Sequence, residues 1–472
     1  MKTPSILPVS ETEGKKWPQF LAATLASLAV FTTGLHTGWP APSLPKLLSD
    51  EYPYDISNDE ASYVTIIGHL GNLCGGLLGT TLLDKIGRKK TILAIAVPQL
   101  VSFLLIILSY QLMELLYIAR FVGGVAEGMT FTIIPIYIAE IAEPSIRGTL
   151  GTLISVTCMF GIVYANVVGS YLSIKITATT FLVFPAVFIL LFWKMPESPY
   201  YLLMMNKQDE AEAALKFLRR KASVGQELTL LIKDVNRQMS ESGTFKDIFT
   251  IDSNRKAFLL MIGTRVVQQW TGVSAFGLYI QLLLGEATDA LSPQIGSTIL
   301  LFIQLIMAVL STFFVDKSGR KPLLLFSTGG CCLNLLIQAV YFGLKEHTTV
   351  DVSVLNWFPL VMMILFVVLF STGLGVVVNI LNSEIFSASI KAKCVCLVNV
   401  VFALGMMSTT KFYQATADAF GLTVPYASFG LISLGGCVFL YLFIPETKGK
   451  SLEEIQQQLK GRKSRSSMMV KA

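Results

Sequence analysis

Long uncharged apolar blocks alternate along this chain with short charged clusters, and the blocks are of bilayer length. Thr91–Ser109, Gly148–Ile174 and Pro425–Ile444 hold no charged residue. A helix needs about 20 apolar residues to cross the hydrocarbon core. Lipid offers no partner to a free peptide group, so blocks that cross it must be helical. The pattern predicts about twelve spans, near 18–40, 62–82, 91–109, 113–139, 148–172, 176–195, 257–284, 294–315, 321–344, 354–381, 391–415 and 425–444. In the polar stretch between the sixth and seventh, Asp209–Ala222 and Leu228–Met239 read as amphipathic helices. The first has acids leading and bases trailing, which suits the helix dipole. The chain therefore divides into an N-terminal tail (1–17), a six-helix bundle (18–195), a helical linker (196–256), a second six-helix bundle (257–444) and a C-terminal tail (445–472). Beyond Lys460 that tail is basic and Ser-rich and reads as disordered.

The charged clusters repeat. Asp84-Lys85-Ile86-Gly87-Arg88-Lys89 returns as Asp316-Lys317-Ser318-Gly319-Arg320-Lys321, 232 residues later (316 − 84). Glu140 with Arg147 returns as Glu384 with Lys391, 244 later (384 − 140). Pro196-Glu197-Ser198 returns as Pro445-Glu446-Thr447, 249 later (445 − 196). Three ordered pairs at similar offsets indicate a duplicated six-span unit. Two parallel repeats facing one another across a central site are a transporter arrangement.

Composition narrows the class further. With 53% hydrophobic and 14% charged residues, the chain cannot both bury its apolar surface and cover itself with polar groups in water. The net charge of +6 reflects topology rather than a nucleic-acid partner: 31 of the 37 Lys and Arg fall on one side of the predicted spans. The first loop on the other side carries Asp50, Glu51, Asp55, Asp59 and Glu60. By the positive-inside rule both termini and the central linker are expected to be cytoplasmic. The N-terminus shows no short apolar core with a small-residue cleavage site, so no cleaved signal peptide is expected. All seven cysteines lie in predicted spans, and no Cys/His cluster has metal-ligand spacing. They read as small packing residues, with no metal or cofactor implied. No HExxH, GxSxG or P-loop pattern supports an enzyme.

The repeated cassettes resemble those of the sugar porter family within the major facilitator superfamily, over nearly the whole chain. The D-x-x-G-R-[RK] loop appears twice, the PESPR-type motif as Pro196-Glu197-Ser198-Pro199-Tyr200 and the PETKG motif as Pro445-Glu446-Thr447-Lys448-Gly449. The QQ-x-[ST]-G motif of span seven is Gln268-Gln269-Trp270-Thr271-Gly272. Tyr200 and the opening of span one are similar to the arthropod trehalose-transporter branch. The resemblance implies an all-α major facilitator fold, monomeric in the plasma membrane, that moves a sugar or polyol by alternating access. It also implies a charge latch: Asp84, Arg88, Glu140, Arg147 and Glu197 in the first half, and Asp316, Arg320, Glu384, Lys391 and Glu446 in the second. Facilitated diffusion is expected because His36 stands where proton symporters of the family carry Asp. A proton-coupled symporter, a carrier of a non-sugar solute and a non-transporting sugar sensor are the alternatives.

A site for a neutral, hydroxyl-rich ligand needs amides, hydroxyls and aromatic faces. Gln268 and Gln269 place amides within an apolar span, which is costly unless they are used. The resemblance adds Gln304 in span eight and Tyr279 as a gate aromatic. The chain also departs from the family: Ser274 replaces an Asn, and Ser155 replaces a Gln in span five. Gly373 to Asn379 replace a proline-glycine run ending in Trp, and Phe402-Ala403 replace an Asn-Trp pair. Without the prolines, span ten should be straighter. These changes admit a ligand of different size or polarity. His36, Glu127 and Arg265 are ionisable groups inside spans, each costing about 2.5–3.5 kcal/mol on insertion scales. Arg265, Gln268, Gln269 and Gly272 share one helical face. Arg265 either pairs with Glu127 across the halves or adds a polar or anionic handle to the cavity, and His36 is a candidate proton-coupling group. Arg120 matches a family Arg of an exterior charge network.

Overall fold

The computed structural model describes residues 15–143, 145–221, 223–240, 244–287, 291–387, 390–448, 450 and 452–459, and its regular structure there is helical throughout. Eleven helices among the described residues are long and apolar enough to cross a bilayer. The first half holds span one (Trp17–Gly38, continued as Pro40–Leu47), span two (Asn58–Ile86) and span three (Arg88–Leu108). Span four (Glu114–Ile141), span five (Arg147–Tyr171) and span six (Ile174–Phe181 with Val183–Phe192) complete it. The second half holds span eight (Pro293–Ser318), span nine (Arg320–His347), span ten (Phe358–Thr372 with Val377–Glu384), span eleven (Lys391–Phe420) and span twelve (Thr423–Phe443). Span seven is the twelfth. It is broken into Asp252–Gln269, Val273–Leu278 and Ile280–Ala287, so no single piece has spanning length and apolarity. The end of the bundle carrying the two Gly-Arg-Lys cassettes is called here the basic end, and the other the acidic end.

Local chemistry sets the element boundaries. Span two begins in a capping box: the Ser57 hydroxyl accepts from the Glu60 amide at 3.3 Å, and the Glu60 carboxylate accepts from the Ser57 amide at 2.9 Å. The turns from span two to three and from span eight to nine are the same structure built twice. Gly87 and Gly319 have φ of 91° and 90°, a region only glycine enters freely. A Cβ at either would meet a carboxylate, Glu197 at 2.6 Å or Glu446 at 2.9 Å.

Spans two and four are in contact backbone to backbone. A Cβ on Gly71, Gly75, Gly124 or Gly128 would lie against the carbonyl oxygen of Phe121, Val125, Gly68 or Asn72. Small residues one turn apart are the usual means of bringing membrane helices this close, because lipid supplies no hydrophobic drive between them.

The linker forms four short helices, Pro199–Met204, Gln208–Arg219, Gly225–Ser240 and Phe245–Thr250. The first predicted amphipathic helix stops at Arg219, where Arg220 takes a left-handed cap. Arg219 fixes the linker to the first half, donating to the Ile141 carbonyl at 2.9 Å and pairing with Glu227 at 2.8 Å. The tail beyond Lys460 lies outside the described residues.

Span ten is not straight. It breaks at Gly373–Val376 although the prolines are absent. Glycine does what proline was expected to do: Gly373 sits against the Leu323 carbonyl, where a Cβ would collide. The freed groups are satisfied from outside the helix, as the Leu374 amide donates to Ser327 Oγ at 3.1 Å and its carbonyl accepts from Gln268 Nε2 at 2.7 Å.

Gly124→Val should overpack the span two–four contact and lower stability by about 1–3 kcal/mol. A clear fall in the melting temperature of the detergent-purified protein is expected. Gly151→Ala, which meets nothing within 4 Å, should leave it unchanged or raise it slightly.

Candidate functional site

Span seven carries the polar centre. Gln268 is anchored by its amide nitrogen to the Leu374 carbonyl in the break of span ten, which turns its oxygen toward Arg265 Nη1 at 2.8 Å. Arg265 Nη2 donates to Asn379 Oδ1 at 2.8 Å, and the guanidinium lies 5.1 Å over the Phe402 ring. Ser274 Oγ donates to Gln269 Oε1 at 2.5 Å. Just beyond, Gly272 turns at φ 84°, with Phe429 where a Cβ would stand. Arg265, Gln268 and Gln269 are buried, Ser274 is half-buried and Asn379 is exposed. Gln304 is half-buried and lines a separate, mainly apolar pocket with Phe276, Leu300, Phe366, Phe370 and Gln338. Tyr279 is buried against Tyr413 at 5.4 Å between ring centres, and Ser155 is exposed on span five.

The ionisable groups of the first half behave differently from expectation. His36 is 1% exposed, stacks on Phe103 at 3.9 Å, and has its Nδ1 3.5 Å from Ser102 Oγ. Its surroundings are all first-half side chains, so it packs inside that half rather than in a shared cavity. Arg120 donates to the backbone carbonyls of His36 at 3.0 Å and Val64 at 3.4 Å and lies over Trp39 at 5.1 Å. It makes no ion pair in an exterior network. Glu127 interacts with Arg120 and Asn72 of its own half. No ion pair joins it to Arg265, whose polar contacts are Gln268 and Asn379.

The repeated charges form two clusters, one within each half at the basic end. Arg88 grips Glu140 with Nη2 at 2.8 Å and Nε at 2.9 Å. Glu197 caps span three, accepting from the backbone amides of Arg88 and Lys89, each at 3.0 Å. In the second half Arg320 pairs with Glu384 at 2.9 Å, and Glu446 accepts from the amides of Arg320 at 3.0 Å and Lys321 at 3.1 Å. Two expected members stand apart: Asp84 is 67% exposed and 3.9 Å from Arg88, and Arg147 is exposed with no ion pair among the described residues. Arg147 begins span five, and its side chain projects outward there. Lys391 is half-buried beside Glu384, and the side chain of Asp316 lies outside the described residues.

Sequence reasoning missed the contacts that hold the halves together at the acidic end. Lys411 of span eleven pairs with Asp59 at 2.6 Å and reaches Ser62 at 3.1 Å, while Asn58 donates to Asp418 at 3.3 Å. Asn166 of span five donates to Ser297 at 3.0 Å and Thr298 at 3.1 Å of span eight. Gln281 of span seven donates to Asn166 at 2.9 Å and Ser170 at 2.8 Å. The available signal was the run of amides and hydroxyls near the acidic ends of spans five, seven and eight, each polar group costly there without a partner.

Two repeats of six spans, broken helices at the middle and a polar seam at one end define a membrane transporter of the major facilitator type. The family model described as Sugar (and other) transporter matches residues 22–459. The chain belongs to that family, one of transporters rather than enzymes. It is 30% identical over 445 residues to a facilitated trehalose transporter Tret1 of Bombyx mori, covering 94% of this chain and 87% of that protein. The Anopheles gambiae protein of the same name is 30% identical over 459 residues, and there this chain spans only 57% of the relative's length. Among solved structures, an inward open conformation of the xylose transporter XylE from E. coli superposes with a TM-score of 0.77 at 22% identity, covering 93% of this chain and 99% of that one.

Gln268→Ala should reduce uptake by on the order of tenfold or more with normal surface expression, since it removes a buried hydrogen-bond anchor. Unchanged uptake would remove Gln268 from the site. Glu140→Ala should cost about 3–5 kcal/mol by stranding a buried guanidinium, read as a large fall in melting temperature. Asp84→Ala should shift it little, because exposed pairs contribute at most about 1 kcal/mol.

Proposed function

We propose that the chain is a sugar carrier of the plasma membrane that works as a monomer by alternating access, with both termini in the cytoplasm. The basic loops and tails support that orientation. The names of the relatives support a disaccharide such as trehalose as substrate, and a hexose is the second candidate. What carries the reading is the asymmetry of the interface between the halves. The described hydrogen bonds between them gather at the acidic end, through Lys411, Asn166 and Gln281, whereas the described ion pairs of each basic-end cluster lie within its own half. On this reading the structure is inward-facing.

Transport then follows from the parts. Arg88 with Glu140, and Arg320 with Glu384, keep the halves as bodies that move without deforming. A sugar entering from the cytoplasmic side meets the amides of Gln268 and Gln269 and the hydroxyl of Ser274. The acidic-end seam combines the exposed Lys411–Asp59 pair with buried amide and hydroxyl bonds such as Asn166–Ser297 and Gln281–Asn166, each with a net worth of about 0.5–1.5 kcal/mol. Substrate binding that favours an occluded state by a few kcal/mol is enough to shift the population. The pieces of span seven beyond Gly272 and Tyr279 supply the segment that bends on opening. No bond is made or broken in the substrate. Enclosure of His36 within the first half supports facilitated diffusion over proton coupling.

Uptake of labelled glucose, fructose, trehalose and a polyol into expressing oocytes tests the reading, with a protonophore control. Uptake that only equilibrates and ignores the protonophore is expected. Accumulation that the protonophore abolishes would overturn facilitated diffusion, and exclusion of every sugar despite surface expression would overturn the carrier reading. Lys411→Ala should favour the outward-open form by up to about fivefold, on the scale of one exposed ion pair. Labelling by a membrane-impermeant reagent of a cysteine introduced at the acidic end should accelerate accordingly.

A further inference from the structure

We infer that the central site accepts an anionic sugar derivative, a hexose bearing one carboxylate, and that Arg265 is the residue that selects it. This rests on the carrier reading above and narrows its substrate class. Arg265 is 5% exposed within span seven. A guanidinium keeps its charge in proteins, and an uncompensated charge within a bilayer is strongly disfavoured. Two other deeply buried arginines grip acids, Arg88 with Glu140 and Arg219 with Glu227, while Arg120 donates to the backbone carbonyls of His36 and Val64. Arg265 has no acidic partner among the described residues. It donates to two neutral amides, Gln268 and Asn379, and rests on the Phe402 face. Its Nε–H has no acceptor. Of the five N–H groups of a guanidinium, two are committed, which leaves three.

The site is built rather than incidental. Leu374 holds the Gln268 amide so that its oxygen fixes one arm of the fork, and Asn379, which is exposed, fixes the other. The positive fork thus lies directly behind an exposed amide, on the helical face that also carries Gln269. A planar carboxylate matches the remaining donors. One negative charge neutralises the one positive charge, whereas a phosphate monoester would leave a net negative charge in the membrane. The hydroxyls of the same ring are left to Gln269 and Ser274.

The full chain in proteoliposomes, assayed with labelled glucose and labelled glucuronate, tests this. Wild-type protein should carry glucuronate, and Arg265→Gln should lower the ratio of glucuronate to glucose uptake by about tenfold or more, the scale of a lost hydrogen bond to a charged group. Arg265→Lys should restore part of that ratio. A ratio unchanged in Arg265→Gln, or wild-type uptake of glucose with exclusion of glucuronate, overturns this inference and leaves the carrier reading standing. Failure to carry glucuronate while labelled trehalose or fructose enters overturns this inference alone, and failure to carry any of these solutes overturns both. Should Arg265→Gln not fold, the melting temperature of the purified wild-type protein decides. It should rise with glucuronate well below the glucose concentration that gives the same shift, and equal concentrations would count against selection by Arg265.

Discussion

Each half of this protein is organised around one buried arginine whose charge is met by carboxylates of the same half. Arg88 and Arg320 begin spans three and nine, and both are largely withdrawn from solvent. Glu140 and Glu384 neutralise them from spans four and ten. Glu197 and Glu446 complete the arrangement by accepting the first backbone amides of the same helices, groups that have no partner within the helix. Burial alone would favour the neutral form of Glu446. The amides of Lys448, Arg320, Lys321 and Thr447 outweigh it and hold the carboxyl below its usual range. Gly87 and Gly319 follow from the same demand, since a side chain at either would occupy the carboxylate's place.

The two ends of the interface differ in kind as a result. Basic-end charges are spent within halves, which makes each half stiff. Acidic-end polar groups join one half to the other through the half-buried Lys411 and the buried amides of Asn166 and Gln281, by single neutral hydrogen bonds and one exposed ion pair. Stiff bodies joined by individually weak contacts move by rocking rather than by melting. The glycine contacts between spans two and four add to that stiffness.

The spans and the duplicated cassettes were legible because hydrophobic blocks and confined charges are direct consequences of the bilayer. Which neighbour answers each buried polar group was not legible. Glu127 and Arg265 both signal their cost from sequence alone, yet Glu127 interacts within its own half and Arg265 turns to Gln268 and Asn379. His36 looked like a cavity residue and is instead stacked on Phe103. Arg147 matched its motif and remains exposed. Span ten lost its prolines and broke regardless, because a close contact at Gly373 and acceptors on Ser327 and Gln268 serve the same end. In each instance the residue type states a requirement, and only tertiary packing chooses the partner.

Alternating access by rigid halves is tested most directly by counterflow. Proteoliposomes containing the purified chain are loaded with unlabelled sugar and diluted into a trace of the labelled form. A carrier that exposes one site to each side in turn will draw labelled sugar inward to a transient peak and then release it, with no ion gradient present. A monotonic approach to equilibrium with no overshoot, from protein that does transport the sugar, would show a pore rather than an alternating site and would contradict the account.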